Sequence, residues 1–447
     1  MIHERSIAYS SLLAAALFLY GAGAQGQTLR LSLQEVVSLA AKHNRTLKAS
    51  GIDIAVAQEQ RRVARSLSLP SASLGAQYAH YFELPVFFGI GETNGDPDKV
   101  AYSRFGGRDQ FSAALSVAQP LYNPSAKPAQ REAALQEKAS RTLYLDKTVD
   151  LTAAVKRTYL GILVLNKRLQ LQHESLQRNE KALQDARSLL AQGRALRVDT
   201  LRAYTSVKNL QPDILKLTKA IEVGKLQLTT LMGLDSLQDI MLTDSLAHPA
   251  AASIPAAATV YTEARANRPD LQQLRLQQEI REQGIALAKA RRLPVVSLVG
   301  QYQLQSQARS FRFFDASWPG ASFAGAQVTL PLFSGSSNKA RIQQARLTHE
   351  QAGIELTDAY EQLRTEVRQV IANLQETFER VQTQTQVKET AKLSYDIIQY
   401  RYQKGVASRL ELTDAELALT TAQLNYLEAV YDYLAAGIEL DRTRGKQ

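Results

Sequence analysis

The sequence predicts a mainly helical chain with a membrane β part, written twice along its length. Three observations carry this. Glycine and proline are sparse, 23 and 13 in 447 residues, which favours long helices over an all-β or disordered chain. Two very long polar stretches carry a narrow apolar seam at coiled-coil spacing. Four segments of about ten residues alternate apolar with small or polar side chains, the pattern of strands that face lipid on one side.

In chain order, the first element is a leader. "MIHERSIAYSSLLAAALFLYGAGAQG" places Arg5 before an apolar stretch, Leu12 to Tyr20, and then the small-x-small sequence Ala22-Gly23-Ala24. This predicts a secretory signal peptide over residues 1–24. The apolar run is too short for a membrane-spanning helix, and no later segment has 18 consecutive apolar residues. Formal charge is +10. Lys, Arg, Asp and Glu alternate without a basic block, and an exported chain is a poor partner for nucleic acid. Cysteine is absent. That excludes disulfides, Cys-ligated zinc, thiol catalysis and tethering as a lipoprotein through an acylated N-terminal cysteine.

The duplication is read from landmarks. "LAQGRALRVDTLRAY" (Leu190 to Tyr204) parallels "YQKGVASRLELTDAE" (Tyr402 to Glu416). Gly193 aligns with Gly405, Ala195 with Ala407, Arg197 with Arg409, Asp199 with Glu411 and Ala203 with Ala415, an offset of 212 residues. "NRTL" from Asn44 matches "RPDL" from Arg268, Pro70 matches Pro294, and "QPLY" from Gln119 matches "LPLF" from Leu330. The expected organisation is a first repeat over 25–244, an Ala/Pro linker over 245–260 and a second repeat over 261–447.

Each repeat has the same layout. A moderate helix comes first (Leu33 to Ser66; Ala264 to Arg292), followed by strands. Then come a very long helix (Ala129 to Gln192; Lys339 to Lys404), a glycine turn, and a medium helix (Val198 to Met232; Arg409 to Arg442). A helix of about 65 residues is roughly 98 Å long, and the two shorter helices stacked end to end match it at roughly 45 and 50 Å. Each repeat is expected to be a two-column antiparallel rod with the turn at one tip. In the second long helix Leu356, Tyr360, Leu363, Val367, Val370, Leu374, Phe378 and Val381 form a seam with one stutter. Its other faces are rich in Gln, Arg, Glu and Thr, as suits a solvated rod or a tunnel wall. Pro212 predicts a kink. The turns read as helix stop then helix start. Gly193 and Gly405 allow the left-handed stop, and Ser408 with Glu411 has capping-box spacing.

The strand segments run over Ser71 to Phe82, from Gln110 to Val117, over Val295 to Gln305 and from Ala326 to Leu330. Aromatic residues gather at one edge (Tyr78, Tyr81, Phe82, Phe311, Phe313, Phe314, Trp318) and at the other (Tyr122, Phe333). Alternation alone fits equally a soluble sheet with one wet face. The aromatic edges and the leader favour an outer-membrane barrel. Four strands cannot close in lipid, so copies must form a ring by head-to-tail contacts. Three copies give twelve strands. Two would give eight with a filled lumen, and four also satisfy the constraint.

Taken together, the duplicated layout, "LPLF" at the foot of the last strand and the second tip resemble the TolC-like outer membrane efflux protein family. Tyr402, Gly405, Ser408, Glu411 and Asp414 fill the pattern Tyr-x-x-Gly-x-x-Ser-x-x-acid-x-x-acid. The resemblance implies a homotrimer whose twelve-stranded β-barrel continues as a periplasmic α-barrel. It implies an exit duct for a tripartite efflux pump or a type I secretion system, with outer-membrane lipid, a periplasmic adapter and an inner-membrane pump as partners. It further implies that Glu411 and Asp414 form an acidic ring at the periplasmic entrance, and that Asp199 and Tyr402 hold that entrance closed. Gly193, Arg194 and Ala195, with Gly405, Val406 and Ala407, would be the adapter-docking tips. Two departures stand out. Ala407 occupies a place where a basic residue is common. Leu196 replaces a capping Ser or Thr, leaving Arg194 and Arg197 as candidates for the closing contacts.

Each assignment has a plainer counterpart. Glu411 and Asp414 also suit a first helical turn, where acids favour the dipole. His43, His80, His173 and His349 show no metal spacing, and neither a phosphate loop nor GxGxxG occurs. No cofactor and no enzymatic activity are expected. The alternative function is a periplasmic coiled-coil scaffold or adapter without a channel, which explains the tips but not the lipid-type strands.

Overall fold

The computed structural model describes residues 29–89, 100–234, 239–246, 254–311 and 313–446. The signal segment 1–24 and residues 247–253 of the expected linker lie outside the described residues. In chain order the elements of the first half are β1 (Leu29–Leu31), α1 (Leu33–His43), α2 (Arg45–Ser66), β2 (Ser71–His80), β3 (Val86–Phe88), β4 (Tyr102–Arg104), β5 (Asp109–Tyr122), α3 (Ala126–Ala191) and α4 (Arg197–Met232). Those of the second are β6 (Ile240–Leu242), α5 (Ala257–Asn267), α6 (Pro269–Ala290), β7 (Val295–Ala308), β8 (Gly320–Thr329), α7 (Ser337–Gln403) and α8 (Arg409–Thr443). Two compact units are present. One takes residues up to Ile52, Thr142–Gln272 and Asp358–Gln447; the other takes Asp53–Arg141 and Gln273–Thr357. Each unit draws on both halves of the sequence.

The long helices run 66 and 67 residues, close to the expected spans. The moderate helices differ from expectation, because each is broken. Asn44 leaves helical geometry at ψ 128° and divides α1 from α2. Its side chain makes the break favourable. Nδ2 donates to the Leu231 carbonyl at 2.8 Å, and Oδ1 accepts from the amides of Thr46 and Leu47 at 2.9 and 3.1 Å. Arg268, at ψ 122°, divides α5 from α6. There the following Pro269 pushes it out of the helical region and then starts the next helix. The breaks receive the ends of α4 and α8. Gly233 (φ +69°) and Gly445 (φ +72°) sit 212 residues apart, and a Cβ on them would lie 2.3 Å from the His43 carbonyl and 3.0 Å from that of Asn267. The helix α4 continues through Pro212.

In the first unit the predicted seam is the core. Leu363, Val367, Val370, Leu374 and Val381 of α7 are buried against Ala429, Val430, Tyr433, Ala436 and Leu440 of α8 and against Val260, Ala264 and Leu271. A second cluster joins Val36 and Ala40 of α1 to Val155, Tyr159 and Ile162 of α3 and to Leu228 and Met232 of α4. It also holds Leu31 and Ile240 from β1 and β6, a short parallel pair that the sequence reading missed. The Tyr159 hydroxyl is 3.0 Å from Asp244 Oδ2; burial and that carboxylate push it up to about 12.

The second unit holds an antiparallel sheet in the order β2-β5-β7-β8, so among the described residues β2 and β8 each keep one unpaired edge. Register aligns the alternation across strands. Leu74 faces Leu115, which faces Tyr302, while Ser73 faces Ser116, which faces Gln301. One side is therefore mostly apolar and exposed, as at Leu74 (76%) and Val328 (65%). Val299 and Phe323 are exceptions that lie on the polar side, paired with Ala118 and Gln301. The register slips between Pro120 and Tyr122, where proline cannot donate to the ladder. Five of the predicted aromatic residues form one cluster at the end of the sheet. Phe111 lies 4.9 to 6.0 Å, centroid to centroid, from Tyr78, Phe311, Phe313 and Trp318, and Phe314 stacks edge-on against Phe313.

Candidate functional site

The candidate site is the pair of helix tips, both in the first unit. At the first tip Gly193 takes φ +68°, and at the second Gly405 takes φ +76°. Both turns use the same two bonds. The glycine amide reaches the carbonyl three residues back, Leu190 or Tyr402, at 2.9 Å. The next amide, of Arg194 or Val406, reaches Leu189 or Arg401 at 2.9 Å. This is the Schellman stop, which needs a left-handed residue at its centre. Arg194 and Val406 are exposed, and Ala195 and Ala407 are half-buried.

Below each stop the paired helices are closed by equivalent contacts. Leu183 of α3 packs on Ala203 and Val207 of α4. Tyr395 of α7 packs on Ala415 and Leu419 of α8, with Leu412 alongside. All three pairs of equivalent positions are 212 apart, so the two tips share these inner contacts as well as their turns.

The starts of the second helices differ. Ser408 is a true N-cap whose Oγ accepts the Glu411 amide at 3.2 Å. At Leu196 no side chain can cap, but Asp199 Oδ2 accepts the Leu196 amide at 3.3 Å. Glu411 and Asp414 are both exposed, while Leu412, Ala415 and Glu416 on the same helix are buried. Glu411 Oε1 lies 3.3 Å from the Ser408 hydroxyl. Tyr402 packs against the Tyr395 cluster, and the Arg409 guanidinium sits 5.9 Å from its ring centre. Among the described residues no hydrogen bond joins Asp199 to Tyr402 within one chain. No group of three or more His, Cys, Asp or Glu among them could hold a metal ion, and no helix among them is long and apolar enough to cross a membrane.

One polar group was missed. Glu416 is 5% exposed. Arg178 Nε of α3 donates to its Oε1 at 3.2 Å, and Asn179 Nδ2 donates to the same oxygen at 3.0 Å. Arg178 Nη2 reaches Thr420 Oγ1 at 3.4 Å, and the guanidinium lies 6.0 Å from the Tyr395 ring centre. Burial pushes the Glu416 carboxyl above the usual range, and Arg178 opposes that shift. A signal existed in the sequence. Leu412, Ala415, Glu416 and Leu419 have the spacing of one helix face, so an acid stands where an apolar side chain is expected.

The model of the outer membrane efflux protein family matches residues 36–234 and 260–446. The chain belongs to the outer membrane efflux protein family. The match falls in two blocks, one in each half of the chain, and leaves the join between them uncovered. The toluene efflux pump outer membrane protein TtgF of Pseudomonas putida is 22% identical over 423 residues, covering 92% of this chain and 83% of that protein. The alkaline protease secretion protein AprF of Pseudomonas aeruginosa is 23% identical over 334 residues, covering 74% of this chain and 69% of that protein. Among solved structures, the transmembrane channel CusC superposes with a TM-score of 0.75 at 18% identity, covering 95% of both chains. The CmeC outer membrane channel of Campylobacter jejuni superposes at 0.76 and 17% identity, covering 92% of this chain and 85% of that one. The fold is that of these channels, and family membership makes the chain an outer membrane export component. Its relatives are channel and export proteins, not enzymes, which sets the scaffold alternative aside.

Proposed function

We propose that this chain is one third of a passive exit duct, the outer-membrane member of a tripartite efflux pump or type I secretion system. The sheet carries this reading. Its apolar side is exposed, and among the described residues its two edge strands each leave one edge unpaired. In lipid every backbone polar group must be satisfied, so β2 of one copy has to pair with β8 of the next until the ring closes. Three copies make twelve strands, wide enough for a conduit. The leader over residues 1–24 would be removed on export, and without cysteine the mature chain is not a lipoprotein. The two repeats, 25–244 and 261–447, are taken as the domains of the mature chain.

The tips take the remaining roles. Glu411 and Asp414 are proposed as the entrance ring. Their exposure on the side of α8 away from the buried seam supports this, since exposed carboxylates repeated about an axis attract cations. Asp199 and Tyr402 are proposed to close the entrance through contacts between copies. Gly193, Arg194 and Ala195 with Gly405, Val406 and Ala407 are proposed to dock the periplasmic adapter, which bridges to an inner-membrane pump. Cargo choice then belongs to the pump, in keeping with relatives named for toluene, a protease and pyoverdine.

Single-channel recording tests the assignment. Wild type should prefer cations and be blocked by divalent or trivalent cations added from the tip side. Glu411→Gln with Asp414→Asn should weaken both effects. Unchanged selectivity and block in the double variant would leave the two acids as helix-start residues only.

A further inference from the structure

The polar side of the sheet carries no charge. No Asp, Glu, Lys or Arg occurs in β2, β7 or β8, and β5 has only Asp109. Register pairs Asp109 with His80, on the apolar side with Leu74 and Leu115, where the Tyr78 hydroxyl and the His80 ring each meet its Oδ1 at 2.7 Å. The polar side is built instead of amide, hydroxyl and small side chains. Its densest part is β7. There Gln301, Gln303, Gln305 and Gln307 stand at every second residue and so share one face over about 20 Å. Gln305 and Gln307 are exposed, and Gln301 and Gln303 are half-buried. A long bond of 3.4 Å runs from Gln301 Nε2 to Gln303 Oε1. Gln303 lies between Ala114 and Ala321, which leave open space beside it. One aromatic side chain interrupts this side. Phe323 of β8 stands opposite Gln301 and is 58% exposed.

An exposed phenyl ring beside amides, on a face without charge, selects for a kind of solute. The ring is an apolar platform for the C–H face of a flat molecule. Each glutamine has two donors and an acceptor, so it meets a hydroxyl whichever way that hydroxyl points. An ion gains nothing here, because no opposite charge replaces the hydration it gives up. We propose that Phe323, Gln301 and Gln303 form a passage subsite for neutral, hydroxyl-rich solutes of the oligosaccharide class, and that Gln305 and Gln307 extend it along β7. Its groups stay within reach of water, so each contact is weak. A duct requires that, since cargo must leave as readily as it enters. The pump chooses the cargo, and the wall eases the transit of this class. This rests on the conduit reading of the previous section, which turns the polar side of the sheet toward the lumen.

Two measurements test the subsite, with maltohexaose as the neutral probe and sulfated maltohexaose as its charged counterpart. The protein is purified in a detergent without a sugar headgroup. In planar bilayers, maltohexaose added from the side of the strands should interrupt the potassium chloride current in brief events. Phe323→Ala should shorten those events several-fold, as should Gln301→Ala with Gln303→Ala, whereas Phe323→Tyr should keep them. The sulfated probe should give far shorter events. The second measurement uses the single tryptophan of the chain, Trp318. Phe323→Trp in a Trp318→Phe background puts the one indole at the subsite. Its emission should change saturably with maltohexaose and not with the sulfated probe. The proposal is overturned by events of equal length in wild type and Phe323→Ala, by the absence of events, or by an emission change that the sulfated probe matches. A wild type that passes no current overturns the conduit reading instead. The emission titration then still decides whether this face binds the neutral probe.

Discussion

The two helix tips are the same turn built twice and finished differently. Gly193 and Gly405 close identical Schellman stops, and Leu183 with Ala203 is matched by Tyr395 with Ala415. Yet the second tip has a serine cap and a buried carboxylate where the first has Leu196 and an exposed tyrosine. Backbone geometry and the inner contacts set where the chain reverses, so they tolerate little divergence. Caps and outward positions are free to diverge, and there the two hairpins differ.

Breaking the buried pair should have the largest effect. Arg178→Ala leaves Glu416 without its cation and should cost about 3 kcal/mol, near the low end for a buried pair because Glu416 can shed its charge by taking a proton. Thr390→Ala, at the equivalent exposed position, should change stability by less than about 0.5 kcal/mol. Thermal unfolding of the two variants measures the difference directly.

Next come the stops themselves. Gly405→Ala and Gly193→Ala each impose a left-handed alanine, costing about 1 kcal/mol, and a Cβ meets nothing within 4 Å at either place. The pair should therefore be equal in stability, with export falling more in whichever variant disturbs the proposed adapter docking. Unequal unfolding would show that the two turns are not equivalent. The caps come third. Ser408→Ala should cost about 1 kcal/mol, while Leu196→Ser should gain roughly half that by supplying the missing cap.

The pH response is the subtlest. Burial raises the Glu416 carboxyl, against Arg178 of α3 and Arg409 of its own helix, with Tyr395 of α7 alongside. Unfolded, the residue titrates at the ordinary glutamate value. Between the two values the folded chain binds the proton more tightly, so stability is higher below the unfolded pKa and is lost as pH rises through the folded one. Glu416→Gln removes that slope. Its melting temperature relative to wild type should climb from acid to neutral pH; a flat difference would mean that the carboxyl titrates normally.

Much of this was legible in the sequence because it depends on local signals. Long helices followed from sparse glycine and proline, and the strands from period-two alternation that the register then aligned. The helix breaks at Asn44 and Arg268 were not, although "NRTL" and "RPDL" marked both places. Asn44 breaks its helix through a bond to Leu231, a partner 187 residues away that periodicity cannot supply. The strands β1 and β6 were missed for the same reason, being three residues each and paired only across the fold. At the tips the stops and the Ser408 cap were readable. Glu416 was not recognised, because an acid on an apolar face gains meaning only once Arg178 is placed beside it.

The proposed duct requires that four strands with two unpaired edges be one part of a closed ring. The most direct measurement is the native mass of the purified protein in detergent micelles, taken together with its circular dichroism. A trimer that keeps its β signal is the predicted result. A stable monomer with full β content would contradict ring closure between copies.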